Sequence, residues 1–271
     1  MRYALPLLAS ALLFSTSAFA RHLGGGGQAT SGLKDGSSLT GLCSGDPQNT
    51  GGRWRNWCKD IDDELMAPAP NCKVGNGREV SAGKGSDGSF CDVLREEILA
   101  DGNEKNNYLG FGEACPPDKL KEILNDQTKF ELFTKQLMAV LTIQESECNP
   151  HSTSNMGAKG LMQLDRKSVS GYGQCCGACK TLGHTGNISS DNDDNMKCGT
   201  AIAMYWMVSD KTMGNGSGNK GSKGIARYFQ PFRRIDRANR RWMMAKTKNY
   251  CENRIDLDSN DTTVGGSTTG H

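Results

Sequence analysis

The stretch Ile143–Leu164, IQESECNPHSTSNMGAKGLMQL, decides how this chain is read. It holds Glu145 and Glu147, then Cys148, an Asn149-Pro150 stop, and a glycine-rich run ending at Met162-Gln163. The residues before it, TKFELFTKQLMAVLTIQESE (128–147), form the strongest helical pattern in the chain. Phe130, Phe133, Leu137, Val140, Leu141 and Gln144 recur at the 3–4 spacing of one helical face. Asn149-Pro150 ends the helix, because the residue before a proline is pushed out of the helical region. At ~100° per residue, Glu145 lies ~40° from Leu141 and ~20° from Met138, at the edge of the apolar stripe. Partial desolvation and the negative end of the helix dipole both favour its protonated form, as a general acid requires near neutral pH. On Glu145 alone, a helix-end carboxylate bonded to nearby backbone remains the plainer reading. Glu147 lies ~200° further round and is expected to be a solvated surface residue.

Outward from this stretch, the chain divides by composition. Residues 1–20 place Arg2 before the apolar run ALPLLASALLF and end in Ala18-Phe19-Ala20, the pattern of a signal peptide cut before Arg21. That run is too short for a membrane span, and nothing later approaches the ~18 apolar residues a span needs. The expectation is an exported protein, periplasmic or secreted, with no transmembrane segment. Residues 21–41 are glycine- and serine-rich and read as a flexible leader. Residues 42–114 are polar, with two short helix-like pieces, RWRNWCKDIDDELM and SFCDVLREEILADG. So few apolar residues imply a small, irregular N-terminal extension that depends on disulfides or on docking to the rest. Residues 115–255 read as a mainly α-helical domain. Its other helices are PPDKLKEIL, started by proline, DNMKCGTAIAMYWMVSD, IARYFQ, and a long piece from Pro231 to Ile255. GNGSGNKGSKG reads as a glycine-rich loop, and residues 256–271 as a disordered tail.

Eleven cysteines in an exported chain read as disulfides, and the odd count leaves at least one thiol over. Cys148 is expected to bond to a cysteine of the 175–179 cluster or to Cys198, fixing the end of the Glu145 helix. QCCGAC (174–179) could alternatively suggest zinc, but no histidine stands at ligand spacing, so no metal or cofactor is expected. The net charge of +2 is no nucleic-acid signature. The local run FRRIDRANRR carries Arg233, Arg234, Arg237, Arg240 and Arg241. These could meet anionic groups of a partner, or form one solvated helix face with some structural pairing.

The ordered motif Gln144-Glu145-Ser146, Asn149-Pro150, Ser154, Gly157-Ala158 and Gly160-Leu161-Met162-Gln163 resembles the lysozyme-like lytic transglycosylases, the soluble lytic transglycosylase and goose-type lysozyme group. Asn195 in DNMKCG, Tyr228 in IARYF and Tyr250 in TKNYCENRI extend the resemblance over about Lys119 to Ile255. It implies a lysozyme-like helical domain with a groove for peptidoglycan glycan strands, acting as a monomer. Glu145 would be the catalytic acid/base. Ser146 and Gln163 would hold the sugar's N-acetyl group and backbone. Tyr228 would orient Glu145 or the leaving sugar, while Asn195 and Tyr250 would line the groove. Ser154, Gly157 and Met162 belong to the loop that meets the sugar. The chain departs from the pattern at Arg166, where a proline is usual, and at Phe229, which replaces an asparagine. The cysteine-rich insert near the groove is a third departure, and such a groove could prefer chemically modified glycan.

The implied reaction is cleavage of the β-1,4 bond between MurNAc and GlcNAc. No carboxylate in the motif offers itself as a base for water, so 1,6-anhydro-MurNAc ends are expected. A hydrolytic lysozyme using the same Glu145, with Asp165 as first candidate for the base, is the alternative enzyme. A non-catalytic wall-binding module is the alternative outside enzymes, and retention of a proton donor argues against it.

Overall fold

The computed structural model describes residues 53–68, 72–73, 79–80, 88–100, 110–186, 188, 192–215, 222–233, 237–253 and 255–256. The expected signal segment, leader and C-terminal tail beyond Asp256 lie outside them. Eight α-helices are found among the described residues: α1 (Arg53–Leu65), α2 (Phe90–Ala100), α3 (Pro117–Asn125), α4 (Gln127–Ser146), α5 (Arg166–Gly171), α6 (Gly177–Thr185), α7 (Asn192–Asp210) and α8 (Arg237–Asn253). Two antiparallel pairs accompany them, β1 (Cys72–Lys73) with β2 (Glu79–Val80), and β3 (Gly214–Asn215) with β4 (Lys223–Gly224). The glycine-rich loop of the sequence reading is thus closed at its base by a short hairpin.

The core is continuous across the expected domain boundary. Trp57, Ile61 and Leu65 of α1, with Phe90, Leu94 and Ile98 of α2, lie in one buried cluster with α4, α7 and α8. Burial of each such side chain contributes about 1.5–3 kcal/mol. The exposed Lys59–Asp63 ion pair on the same helix (2.6 Å) belongs to a class that contributes about 0–1 kcal/mol. The extension therefore carries two helices and a short strand pair where described, and apolar docking holds the helices. Its Cys91 is a free, buried thiol.

The long helix α4 starts where Asp126 accepts a hydrogen bond from the Lys129 amide (3.1 Å). Single-face amphipathicity does not describe it. Phe130, Phe133, Gln136, Leu137, Met138, Ala139, Val140, Leu141 and Thr142 are all buried, so the helix runs through the middle of the fold. Its buried hydroxyls bond back one turn: Thr134 Oγ1 to Phe130 O (2.8 Å) and Thr142 Oγ1 to Met138 O (2.9 Å). Such back-bonding lets short polar side chains enter a core without an unsatisfied group.

Two helices escaped the sequence reading. α5 is capped by Asp165, whose side chain accepts from the Ser168 amide (2.9 Å), and α6 ends at Gly186 in the left-handed region. The long C-terminal helix expected from Pro231 does not form as one piece. Gln230–Phe232 is a 3-10 turn, Arg233 is extended, and α8 begins at Arg237. IARYFQ is likewise only a 3-10 turn at Ile225–Arg227.

Cys115–Cys251 joins the start of α3 to α8, and Cys179–Cys198 joins α6 to α7. Cys175 is also disulfide-bonded. The expected Cys148 cross-link is absent: Cys148 is a free thiol, as is Cys176, while the other candidate partners, Cys175, Cys179 and Cys198, are disulfide-bonded.

Candidate active site

The site forms where α4 stops. Glu147 caps the helix at φ 50°, and Cys148 follows at φ 60°. Two successive non-glycine residues in the left-handed region turn the chain sharply away from the helix axis. Glu145, one turn from the end, is half-buried, while Glu147 is exposed. The two glutamates therefore separate as their helical positions predict.

The chain then folds into a compact double turn. Ser154 N–H bonds Ala158 O (2.8 Å), and Ser154 Oγ accepts from the Ala158 amide (3.0 Å). Lys159 and Leu164 exchange both backbone bonds at 2.9 Å. Gln163 takes φ 45°, and its Nε2 donates to Gly160 O (2.8 Å) and Ser152 O (3.1 Å). Its amide nitrogen thus braces the loop and leaves the amide oxygen for other work. Gly157, at φ 81°, has open space where a side chain would go and lies exposed.

A clasp beneath the loop comes from α7. Asn195 Oδ1 accepts from the Met162 amide (2.8 Å), and Nδ2 donates to Lys159 O (3.1 Å) and Ile188 O (3.2 Å). A Cβ on Gly160 would stand 2.4 Å from that Nδ2. Met162 turns inward, with Sδ 3.1 Å from Thr142 Oγ1 and its side chain packed over Gly199.

Several residues expected to touch sugar are therefore placed otherwise. Asn195 and Met162 are fully buried, and Tyr250 is 3% exposed. Asn195 and Met162 support the loop from beneath. Ser146 is buried, and its Oγ bonds Thr142 O (3.2 Å). Ser154 orders the loop through its own backbone. Glu145, Gln163, Gly157 and Tyr228 keep accessible surface.

The opposite side of the site comes from the turn after β4. Tyr228 Oη accepts from the Asp165 amide (3.1 Å) and faces Asp165 Oδ2 at 3.4 Å. Burial pushes the phenol's pKa far up, and the Asp165, Tyr172 and Glu145 charges add to that. Tyr228 thus stays protonated and lies in the field of both carboxylates. Behind it, the Tyr172 ring meets Tyr228 edge-on (6.4 Å), and Trp206 Nε1 donates to Tyr172 Oη (2.6 Å). Arg227 lies 4.8 Å over the Trp206 ring and pairs with Asp210. Trp206 and Met207 are core residues, as is Phe229.

Arg233 was missed. The arginine run was expected either to meet anionic groups or to form a solvated helix face with some structural pairing, yet Arg233 is half-buried and held by two carbonyls, Nε to Ala226 O (3.1 Å) and Nη2 to Arg227 O (3.4 Å). Arg240 of the same run is also buried and donates to Phe232 O (3.0 Å) and Glu113 Oε2 (2.8 Å). Pro231, which interrupts the run's approach to a helix, was the available signal. Among the described residues no group of His, Cys, Asp or Glu could hold a metal ion, and no helix is long and apolar enough to cross a membrane.

A buried central helix ending in a half-buried glutamate, beside a clasped glycine-rich loop and a tyrosine turn, is the arrangement of a lysozyme-like glycan-cleaving domain. Residues 123–249 match the family model of the transglycosylase SLT domain, a lytic transglycosylase domain that implies peptidoglycan as substrate. Solved structures of DslA, a wild-type form and a glutamate-to-glutamine mutant, share 18% identity, cover 62% of this chain and 90% of theirs, and give TM-scores of 0.39 and 0.40. No curated protein matches the sequence.

Proposed function

We propose that this protein is an exported lytic transglycosylase that cleaves the β-1,4 bond between MurNAc and GlcNAc, with Glu145 as general acid and then general base. Glu145 protonates the leaving glycosidic oxygen. The substrate's own N-acetyl group stabilises the cation at C1. The Glu145 carboxylate then takes the proton of the C6 hydroxyl, whose oxygen closes on C1. One bond breaks, one forms, no water is consumed, and the product carries a 1,6-anhydro-MurNAc end. Tyr228 and the amide oxygen of Gln163 border the bound sugar.

The observation that carries this reading is the state of Asp165. Inverting hydrolysis needs a second carboxylate about 6.5–9.5 Å from the acid, free to activate water. Asp165 was the candidate, but its Oδ1 caps α5 through the Ser168 amide (2.9 Å), and its Oδ2 faces the Tyr228 hydroxyl (3.4 Å). A carboxylate committed to those partners is poorly placed as a base. Export rests on residues 1–20.

The experiment is wall degradation by Glu145→Gln and Glu147→Gln. The first change is isosteric and removes the proton donor, so activity should fall ~10²–10⁴-fold. The second touches an exposed cap residue and should leave activity within a few-fold. An active Glu145→Gln would end the proposal.

A further inference from the structure

Asp165 has no part in the proposed reaction, yet three elements converge on it. Before it, Leu164 is pinned by the two backbone bonds it exchanges with Lys159 (2.9 Å each). After it, its Oδ1 accepts from the Ser168 amide (2.9 Å) and starts α5. Between these anchors it meets Tyr228 twice. Its amide donates to Tyr228 Oη (3.1 Å), and Tyr228 Oη donates to its Oδ2 (3.4 Å). One residue, 63 positions away in the chain, thus fixes where the phenol oxygen sits and where its proton points. A phenol has one proton to donate and an oxygen that can accept. Its proton is directed at Asp165, and one acceptor direction is filled by the Asp165 amide. Among the described residues no third group bonds this hydroxyl. Thr142, one turn before Glu145, lies 3.1 Å from the Met162 sulfur. The loop that ends at Asp165 therefore packs on the end of α4 as well.

We propose that Asp165 is a positioning residue: by holding the proton of Tyr228 it makes that hydroxyl an acceptor, which takes a hydrogen bond from an O–H or N–H of the bound glycan. This rests on the function proposed above, in which Tyr228 borders the sugar, and assigns a part of it. A glycan offers hydroxyl and N-acetyl N–H groups as donors, while its ring and glycosidic oxygens only accept. A phenol whose proton is already engaged bonds the first kind and not the second. Tyr228 then orients the sugar without competing with Glu145 for the glycosidic oxygen, where the acid's proton must arrive. Donation to a carboxylate also makes the phenol oxygen a better acceptor, because linked hydrogen bonds reinforce one another. The rest of the tyrosine is held by other groups. Tyr172 meets its ring edge-on (6.4 Å), and Arg233 bonds the carbonyls of Ala226 and Arg227 just before it. Only Asp165 acts on the hydroxyl itself among the described residues.

The test is a double-mutant cycle on glycan affinity. Glu145→Gln, which should bind without cutting, serves as the parent, and isothermal titration with soluble peptidoglycan strands gives Kd. Asp165→Ser, Asp165→Asn and Tyr228→Phe are added singly, and each Asp165 change is then combined with Tyr228→Phe. Serine keeps the cap on α5 and the backbone amide but loses the carboxylate. Asparagine keeps the cap through its oxygen and turns a donor toward Tyr228, which reverses the bond. In the parent, both Asp165 changes should weaken binding about 3–10-fold, the worth of one hydrogen bond. Tyr228→Phe should cost at least as much. On the Tyr228→Phe background the same Asp165 changes should alter Kd by less than about 2-fold, whereas independent sites would add. Equal losses on both backgrounds would overturn the proposal and leave Asp165 as a helix cap. An asparagine variant that binds like the parent would also overturn it, because the direction of the bond would then not matter. Failure of the underlying reading is seen separately, as glycan cutting by Glu145→Gln.

Discussion

Asn195 on α7 holds the backbone of Met162: its Oδ1 accepts from the Met162 amide at 2.8 Å while its Nδ2 spans Lys159 O and Ile188 O. One fully buried side chain thus satisfies three backbone groups from the loop and its surroundings, and the loop cannot keep its shape without it.

Asn195→Ala would strand those three groups. An unsatisfied buried group costs about 1–3 kcal/mol, so the melting temperature should drop clearly and wall-degrading activity should fall with it. Gly160→Ala should reproduce much of this loss, because its Cβ would stand 2.4 Å from Asn195 Nδ2 and φ is 79°. Gly157→Ala also carries a positive φ but meets open space, so it should cost only about 1–2 kcal/mol. Thermal denaturation by circular dichroism ranks the three. Equal loss at Gly157 and Gly160 would mean that the clasp does not form.

Stability should fall as pH rises from weakly acidic to neutral. Burial pushes the Asp60 carboxyl up to about 6, with Asp193 adding and Lys197 opposing. Burial also pushes Glu64 up to about 7, against the Cys176 thiol and Lys197, with Asp63 adding. The folded state holds both protons more tightly than the unfolded chain, whose values lie near about 4. The stabilisation is therefore complete below about pH 4 and is lost as pH rises through the folded values. Asp60→Asn and Glu64→Gln should raise the melting temperature relative to wild type at pH 8 and leave it nearly unchanged at pH 4. Calorimetry across that range decides it, and variant curves parallel to wild type at every pH would contradict the buried placement.

Thiol mapping should separate the cysteines sharply. Alkylation under denaturing, non-reducing conditions should label Cys91, Cys148 and Cys176 and spare Cys115, Cys175, Cys179, Cys198 and Cys251. Cys148→Ser should leave the melting temperature within a degree or two. Cys198→Ser, which breaks the α6–α7 link, should cost about 2–5 kcal/mol. Peptide mass spectrometry reads the labels, and a modified Cys198 in native protein would contradict the pairing.

The sequence displayed the helices that carry their own local signals. Arg53–Leu65, Phe90–Ala100, Pro117–Asn125 and Asn192–Asp210 were legible from apolar spacing and proline, and α4 ends at Ser146, within a few residues of the expected Asn149-Pro150 stop. Short α5 and α6 lack room for a periodic pattern, and only their ends, Asp165 and Gly186, announced them. The separation of Glu145 from Glu147 was legible because it depends on helical geometry alone. The inward turn of Asn195, Met162 and Tyr250 was not, because their partners are distant in the chain or belong to the backbone. Arg233 stayed hidden for the same reason: a charged run reads as solvated until the acceptors that bury one member are in view. The pairing of Cys179 with Cys198, and the freedom of Cys148, likewise depend on how α6 lies against α7.

The central claim is that Glu145 serves as acid and then as base in a cleavage that consumes no water. Mass spectrometry of the muropeptides released from purified walls tests it most directly, with Glu145→Gln run alongside. The account predicts MurNAc ends one water lighter than the reducing form, released by wild type and not by the variant. Reducing ends throughout would contradict it and would return Asp165 to the role of base.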